Sequence, residues 1–329
     1  MLCCYYPTTT IAIDDNIDFL RVITQHLGIA DCISYSSPCK AVESLKNQKI
    51  FDRIYSRTSS KTSTYYNDVN TAENYELHVN MHKLHEEIYS EDRFHDASVL
   101  IIDYHMDEMS GIEVCEALSK HPSKKILLTG SAEKEKVAIE AFNKGIIHRY
   151  INKSDPNFPI QLKQAVLMLK EAYFRDMTSQ LLPSISAENI SLLQNPAYIN
   201  FTRNLQAQFN TVEHYLLDKV GSTLFFDANG NPLWLIIKHE TEIDNYLNIA
   251  NDHDADTSII NGLTNRELIP FFFTEGDFLK SISEWGNHLY TAYSLTGTIG
   301  YYYTIIEGHI RNNLNCEHII SYAIHQQIR

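Results

Sequence analysis

Asp14, Asp15, Asp103, Thr129 and Lys153 each stand at or just beyond the end of a short run of β-forming residues. Asp14-Asp15 follow the run 9–13, Asp103 falls within SVLIIDY (98–104), Thr129 ends 125–129, and Lys153 follows 148–151. If these runs are parallel strands of one sheet, all five residues reach its carboxyl edge, where such sheets bind ligands. Carboxylates gathered there repel one another at neutral pH unless a hard divalent cation lies between them. Mg²⁺ suits oxygen ligands and keeps several waters, which leaves positions for an incoming phosphoryl group. A hydroxyl and an ammonium close by would hold the remaining phosphoryl oxygens as charge moves onto them. Asp103, central in the crevice, is then the candidate nucleophile that becomes an acyl phosphate.

The elements needed to position these groups can be read along the first 175 residues. After the strand 9–13, residues 16–27 place Ile17, Leu20, Ile23 and Leu27 on one helical face, and Gly28 closes that helix. A short strand at 32–35 precedes a helix opened by Ser37-Pro38 and running to about Lys46. The run 98–104 is continuously apolar, as a strand covered on both faces should be. Strands at 125–129 and 148–151 and helices near 133–143 and 158–174 complete an alternation that predicts a doubly wound, five-stranded parallel sheet, an α/β fold of the flavodoxin-like kind.

Residues 49–95 break this rhythm. Their first part (RTSSKTSTYYNDVN) is polar. The second (ENYELHVNMHKLHEEIY) has Leu77, Met81, Leu84 and Ile88 at helical spacing and predicts an inserted helix packed on the domain. On that helix His78, His82 and His85, with Glu86, form one face. The order HKLHE is not the H-E-x-x-H of zinc proteases, and the face reads as solvated and polar.

From residue 176 the pattern changes. Residues 176–195, with Pro183 and several serines, predict a linker, and 196–218 a helix. Residues 223–239 (TLFFDANGNPLWLIIKH) are two β-rich runs around a hairpin turn. A helix near 241–251, a short run at 271–273, the Tyr- and Thr-rich stretch 290–306 and a closing amphipathic stretch follow, so 196–329 is expected to be an α+β domain. Asp252, Asp254 and Asp256 lack the glycine and distal glutamate of an EF-hand loop and read as a solvated turn. Tyr301, Tyr302 and Tyr303 read as strand core and rim.

Composition narrows the classes. The chain has 329 residues, 44% hydrophobic and 21% charged, with a net charge of −14. This suits two globular domains and excludes general disorder. No apolar run approaches the roughly 18 residues of a membrane span, and the N-terminus carries no signal-peptide pattern, so a cytoplasmic protein is expected. The six cysteines are sparse and form no C-x-x-C; reduced thiols explain them best. Residues 176–329 carry 17 Asp and Glu against 7 Lys and Arg, a net of −10. A segment this acidic is repelled by nucleic-acid phosphates, which disfavours a DNA-reading output domain.

The first 175 residues resemble the receiver domain of two-component response regulators. The matching residues are Asp14-Asp15, Asp103 after a hydrophobic strand, Met106 and Gly111 downstream, Thr129 in LLTGSA and Lys153 in YINKSD. The match covers 8–48 and 96–174. The resemblance implies that Asp14, Asp15 and Asp103, with the His105 backbone carbonyl, hold Mg²⁺. It further implies that Lys153 pairs with Asp103, that Thr129 bonds the phosphoryl group, and that Tyr150 is the aromatic of the switch. It also implies a sensor histidine kinase or phosphotransfer protein as donor and a homodimer as the phosphorylated readout. The chain departs from the family where Asp107, with Glu108 beside it, replaces the proline after Met106. It departs again where Ser110 replaces the acidic residue before the glycine and Ser154 the proline after Lys153.

The C-terminal stretches TVEHYLLDKVGSTLFFDANGNPLWLIIKHE and GYYYTIIEGHI carry no winged-helix, cyclase or phosphodiesterase signature. They are similar to the output region of response regulators of α-hydroxyketone quorum-sensing circuits. That resemblance implies a non-DNA-binding output domain acting on a partner protein or on itself. The alternative is a receiver-controlled enzyme or a small-molecule-binding domain; His239-Glu240 and Glu307-His309 are its candidate polar groups.

Overall fold

A computed structural model describes the chain apart from residues 29–31, 49–58, 64–74, 80, 131, 182–186, 273–274, 309–317 and 329. The chain divides into two compact units. One gathers Tyr6–Arg57, Ser90–Gln180 and His325–Arg329; the other gathers Met1–Tyr5, Thr58–Tyr89 and Leu181–Ile324.

In chain order the first half runs β1 (Cys4–Tyr5), β2 (Thr9–Ile13), α1 (Ile17–Leu27), β3 (Cys32–Tyr35) and α2 (Pro38–Lys46). Next come β4 (Ser59–Ser63), β5 (Tyr75–Val79), a 3-10 helix (Met81–Tyr89) and α3 (Asp92–His95). Then follow β6 (Ala97–Asp103), α4 (Gly111–Ala117), β7 (Lys124–Thr129), α5 (Ala132–Asn143), β8 (Arg149–Asn152) and α6 (Phe158–Leu181). Strands β3-β2-β6-β7-β8 form a parallel sheet in that order.

Two apolar layers cover the sheet. Ile11, Ile13, Leu100, Ile102 and Leu127 pack with Val42, Leu45, Val114 and Ala138 on one face. Ala12, Val99, Ile101, Ile126 and Leu128 pack with Leu20, Ile23, Leu162 and Ala165 on the other. β6 is buried along its whole length, as a central strand between two helical layers must be. Local caps set the helix entries: Asn16 accepts from the Phe19 N–H, and Ser37 accepts from the Lys40 N–H, one residue before Pro38 starts α2. Ser110 and Glu113 form a reciprocal capping box at α4, a helix the apolar pattern did not single out.

The second unit is built on an antiparallel sheet, β1-β9-β10-β11-β15-β14. Its elements are α7 (Ala187–Gln194), α8 (Pro196–Gln208), β9 (Thr211–Leu216), β10 (Thr223–Asp227), β11 (Pro232–His239), α9 (Glu240–Asp252) and α10 (Thr257–Thr264). β12 (Leu268–Pro270), α11 (Glu275–Phe278), β13 (Leu289–Thr291), β14 (Tyr293–Ser294) and β15 (Tyr301–Glu307) follow, and α12 (Tyr322–Ile328) ends the chain, its residues from His325 on grouping with the first unit. The expected hairpin is present: Leu224 pairs with Trp234, and Asp227 Oδ1 accepts the N–H groups of Asn229 and Asn231 across the turn.

Several expectations are corrected. The segment 73–89 is not one helix: Tyr75–Val79 is a strand paired with Ser59–Ser63, and only Met81–Tyr89 is helical. His78 therefore does not share a helix face with His82 and His85; the side chains of His78 and His82 lie outside the described residues. The insertion groups with the second unit rather than with the domain it interrupts, its Leu84 and Ile88 are buried, and the Ile320 N–H donates to the Ile88 carbonyl. The presumed linker is helical at Asp176–Leu181 and again at Ala187–Gln194. Within 196–218 the helix stops at Gln208 and Thr211–Leu216 is a strand. The strand expected at 271–273 lies at Leu268–Pro270, and Phe273 itself is outside the described residues. Asp252–Asp256 is the turn between α9 and α10, with Asp254 in the left-handed region at φ 51°.

Candidate functional site

The strand ends bring the predicted residues together. Asp14 follows β2, Asp103 ends β6, Thr129 ends β7 and Lys153 follows β8. Register aligns Asp103 with Leu128 and Thr129 with Asn152, so the four strands present these positions at one edge. Carboxylate oxygens of Asp14, Asp15 and Asp103 lie within 4.8 Å of one another. Asp14 and Asp103 are buried, whereas Asp15 is exposed.

Lys153 Nζ donates to Asp14 Oδ2 at 2.7 Å and lies 2.9 Å from Asp103 Oδ1. It also sits 4.0 Å over the centre of the Phe19 ring, a cation–π contact that aims the ammonium inward. Burial pushes the Asp14 carboxyl above the ordinary range, although the Lys153 and Asn16 hydrogen bonds pull the other way and the Asp103 charge adds to the rise. A crowded acidic pocket of this kind, built wholly of hard oxygen donors, fits a small divalent cation.

Thr129 is fully buried, and its Oγ1 has no hydrogen-bond partner among the described residues. Its backbone carbonyl accepts the Lys153 N–H at 2.7 Å, which ties the two positions together. Tyr150 is half-buried beside the core that contains Leu127. Leu127 pairs with Tyr150, so Tyr150 and Thr129 share one face of the sheet. His105 is exposed in the loop after β6, two residues beyond Asp103.

The departures from the family pattern have structural substitutes. The Asp107 N–H donates to Asp15 Oδ2 at 3.1 Å, a bond a proline could not make. Glu108 is drawn aside: it accepts the Ser37 hydroxyl at 2.7 Å, and that bond holds its carboxyl below the usual range. Ser110 heads the capping box. The Ser154 N–H donates to Asn152 Oδ1 at 2.9 Å, closing the Lys153 turn by a side chain where proline would fix it by its ring. Gly111 is required by close approach. A Cβ there would meet the Asp103 carbonyl oxygen at 2.2 Å.

Phe19, Asn16 and Asn152 take part in this geometry without having been singled out from the sequence. Phe19 read as one more apolar residue of a helix, and the asparagines as turn formers. Only their proximity to the acidic pair and to Lys153 along the chain could have marked them.

No family model matches the chain, and no curated protein does. Among solved structures it is similar to the Legionella pneumophila response regulator LqsR, with 30% identity over 99% of this chain and 95% of that one, at a TM-score of 0.80. A CheY-like receiver domain protein from Methanospirillum hungatei JF-1 is 16% identical, covering 52% of this chain and 98% of its own, at a TM-score of 0.31. The receiver domain of a putative Luxo repressor from Vibrio parahaemolyticus is 13% identical, over 52% of this chain and 95% of its own, at 0.33. The first spans both units, and on that match the chain belongs to the two-component response regulators, with an N-terminal receiver domain.

Proposed function

We propose that this response regulator is switched by phosphorylation of Asp103. The observation that carries the reading is the Lys153 ammonium held between the Asp14 and Asp103 carboxylates, beside a buried Thr129 hydroxyl with no partner among the described residues. The donor is a phosphohistidine on a sensor kinase or phosphotransfer protein. An Asp103 carboxylate oxygen attacks phosphorus, the P–N bond breaks, and the departing imidazole takes up a proton. Asp14, Asp15, Asp103 and the His105 carbonyl hold Mg²⁺, which supplies charge neutralisation at the phosphoryl oxygens. Lys153 pairs with the acyl phosphate, and the Thr129 hydroxyl turns to donate to a phosphoryl oxygen. As Thr129 moves, Tyr150 on the same sheet face repacks, and the face built from α5, β8 and α6 changes shape.

On α5, Ile139 and Phe142 are exposed three residues apart and so share one side of the helix, and Leu167 and Met168 are exposed on α6. Arg149 on β8 lies 3.7 Å from the Met168 sulfur, so β8 and α6 border the same patch. An exposed apolar patch of this kind suits a phosphorylation-dependent homodimer. The output unit then acts on a partner protein in a cell-density signalling circuit. This is supported by its sequence likeness to α-hydroxyketone quorum-sensing regulators, and its acidity argues against duplex DNA.

Acetyl phosphate with Mg²⁺ should attach one base-labile phosphoryl group per chain and raise the sedimenting mass to that of a dimer. Asp103→Asn should abolish both. Labelling that survives Asp103→Asn overturns the assignment.

A further inference from the structure

The amino edge of the parallel sheet, opposite the acidic pocket, opens into a cavity of about 620 Å³ within the receiver unit. It begins at the first residues of β7, four to five positions and so about 15 Å from Thr129. Its lining includes Lys120, His121, Lys124, Lys125, Lys144 and His148, against two carboxylates, Glu116 and Asp176.

Lys124 is paired with Asp176. Lys125 is only 3% exposed. Its ammonium meets no carboxylate among the described residues; the groups that act on it are the Cys115 thiol and Lys124, and burial pulls its pKa down. A cation so deeply placed without a counter-charge is costly.

Two imidazoles, His121 and His148, share this lining. His121 Nδ1 lies 2.7 Å from the Ser123 hydroxyl, and its Nε2 is buried with no hydrogen-bond partner among the described residues. His148 Nδ1 accepts the Lys125 N–H at 3.1 Å, so its proton sits on Nε2. Burial and the neighbouring lysines hold both rings neutral, with pKa values of about 4. Four ammonium groups against two carboxylates leave an excess of two positive charges.

We propose that this cavity is a binding site for a phosphomonoester or phosphate dianion. A carboxylate would match one of the two surplus charges; a phosphoryl group carries about −1.5 to −2 at neutral pH and matches both. The volume exceeds that of a free phosphate ion, which leaves room for the organic part of a small metabolite.

The test uses the full chain carrying Asp103→Asn, without Mg²⁺, so that the acidic pocket takes no phosphoryl group. Inorganic phosphate and adenosine monophosphate are titrated separately at constant ionic strength, followed by calorimetry and phosphorus NMR. At least one should bind saturably at a single site, with a Kd below about 10 mM. Lys125→Gln should weaken that binding roughly tenfold or more, and Lys125→Arg should retain it. Lys144→Gln, at the exposed rim, should weaken it severalfold and serves if the buried variant fails to fold. Tighter binding of the nucleotide identifies an organic phosphate as the ligand, and equal binding identifies phosphate itself. Absence of saturable binding by both probes, or binding that neither Lys125→Gln nor Lys144→Gln weakens, overturns the proposal.

Discussion

Thr129 and Lys153 face opposite energetic problems, and each can be tested alone. The Thr129 hydroxyl is buried without a partner among the described residues, a state that costs about 1–3 kcal/mol. Thr129→Val keeps the shape and removes the orphan group. It should raise the melting temperature by roughly 2–4 °C while uncoupling phosphorylation from dimerisation, as melting curves and sedimentation with and without phosphodonor will show. Lys153 is the counter-charge for two buried carboxylates. Lys153→Met should destabilise the metal-free chain by about 3 kcal/mol, and millimolar Mg²⁺ should restore most of the loss. Urea unfolding with and without the metal checks both halves. At this scale the gathering of the acidic pair, Asp103, Thr129 and Lys153 was legible because all five fall in order at the ends of strand-like runs, where any one of them alone means little. Phe19 was not, since nothing distinguishes a ring that steers an ammonium from one that fills a core.

Elements obey the same division. The strands of the parallel sheet were readable because two covered faces demand unbroken apolar runs, and β2 matches its expected bounds, Thr9–Ile13. β9 was read as helix because Glu213 and His214 interrupt its apolar residues, yet both are buried. Their polar atoms are satisfied within the unit: Glu213 accepts the Tyr215 hydroxyl, and His214 lies between the Gln206 amide and the Leu2 carbonyl. Burial lowers the His214 pKa from 6.5 to about 4. The unfolded chain therefore takes up that proton first, and stability is full above pH 6.5 and drains as pH falls toward 4. The loss is about 1.4 kcal/mol per pH unit for this group; chemical unfolding at stepped pH should show it, and His214→Gln should flatten that part of the slope. The start of α4 makes a second demand. Gly111→Ala drives a methyl into the Asp103 carbonyl and should cost about 2 kcal/mol or more, with loss of acetyl phosphate labelling as the second readout.

For the molecule as a whole, composition and order suggested a receiver followed by an α+β output domain, and both architectures are present. The boundaries were not legible, because a linear scan assigns each residue to the domain whose elements flank it. Residues 58–89 interrupt one unit and belong to the other, and Cys4–Tyr5 pairs with Tyr215 and His214 some 210 positions away. A two-residue strand has no period to detect. This threading has a practical outcome for anyone dividing the protein. No single cut releases either half intact: a fragment starting near residue 187 lacks both β1 and the inserted hairpin, and so bares the flank of β9. Such a fragment should aggregate or stay partly unfolded by NMR. Supplying the missing N-terminal pieces in trans should rescue it, much as a garment laced through both panels closes only when the lace is returned.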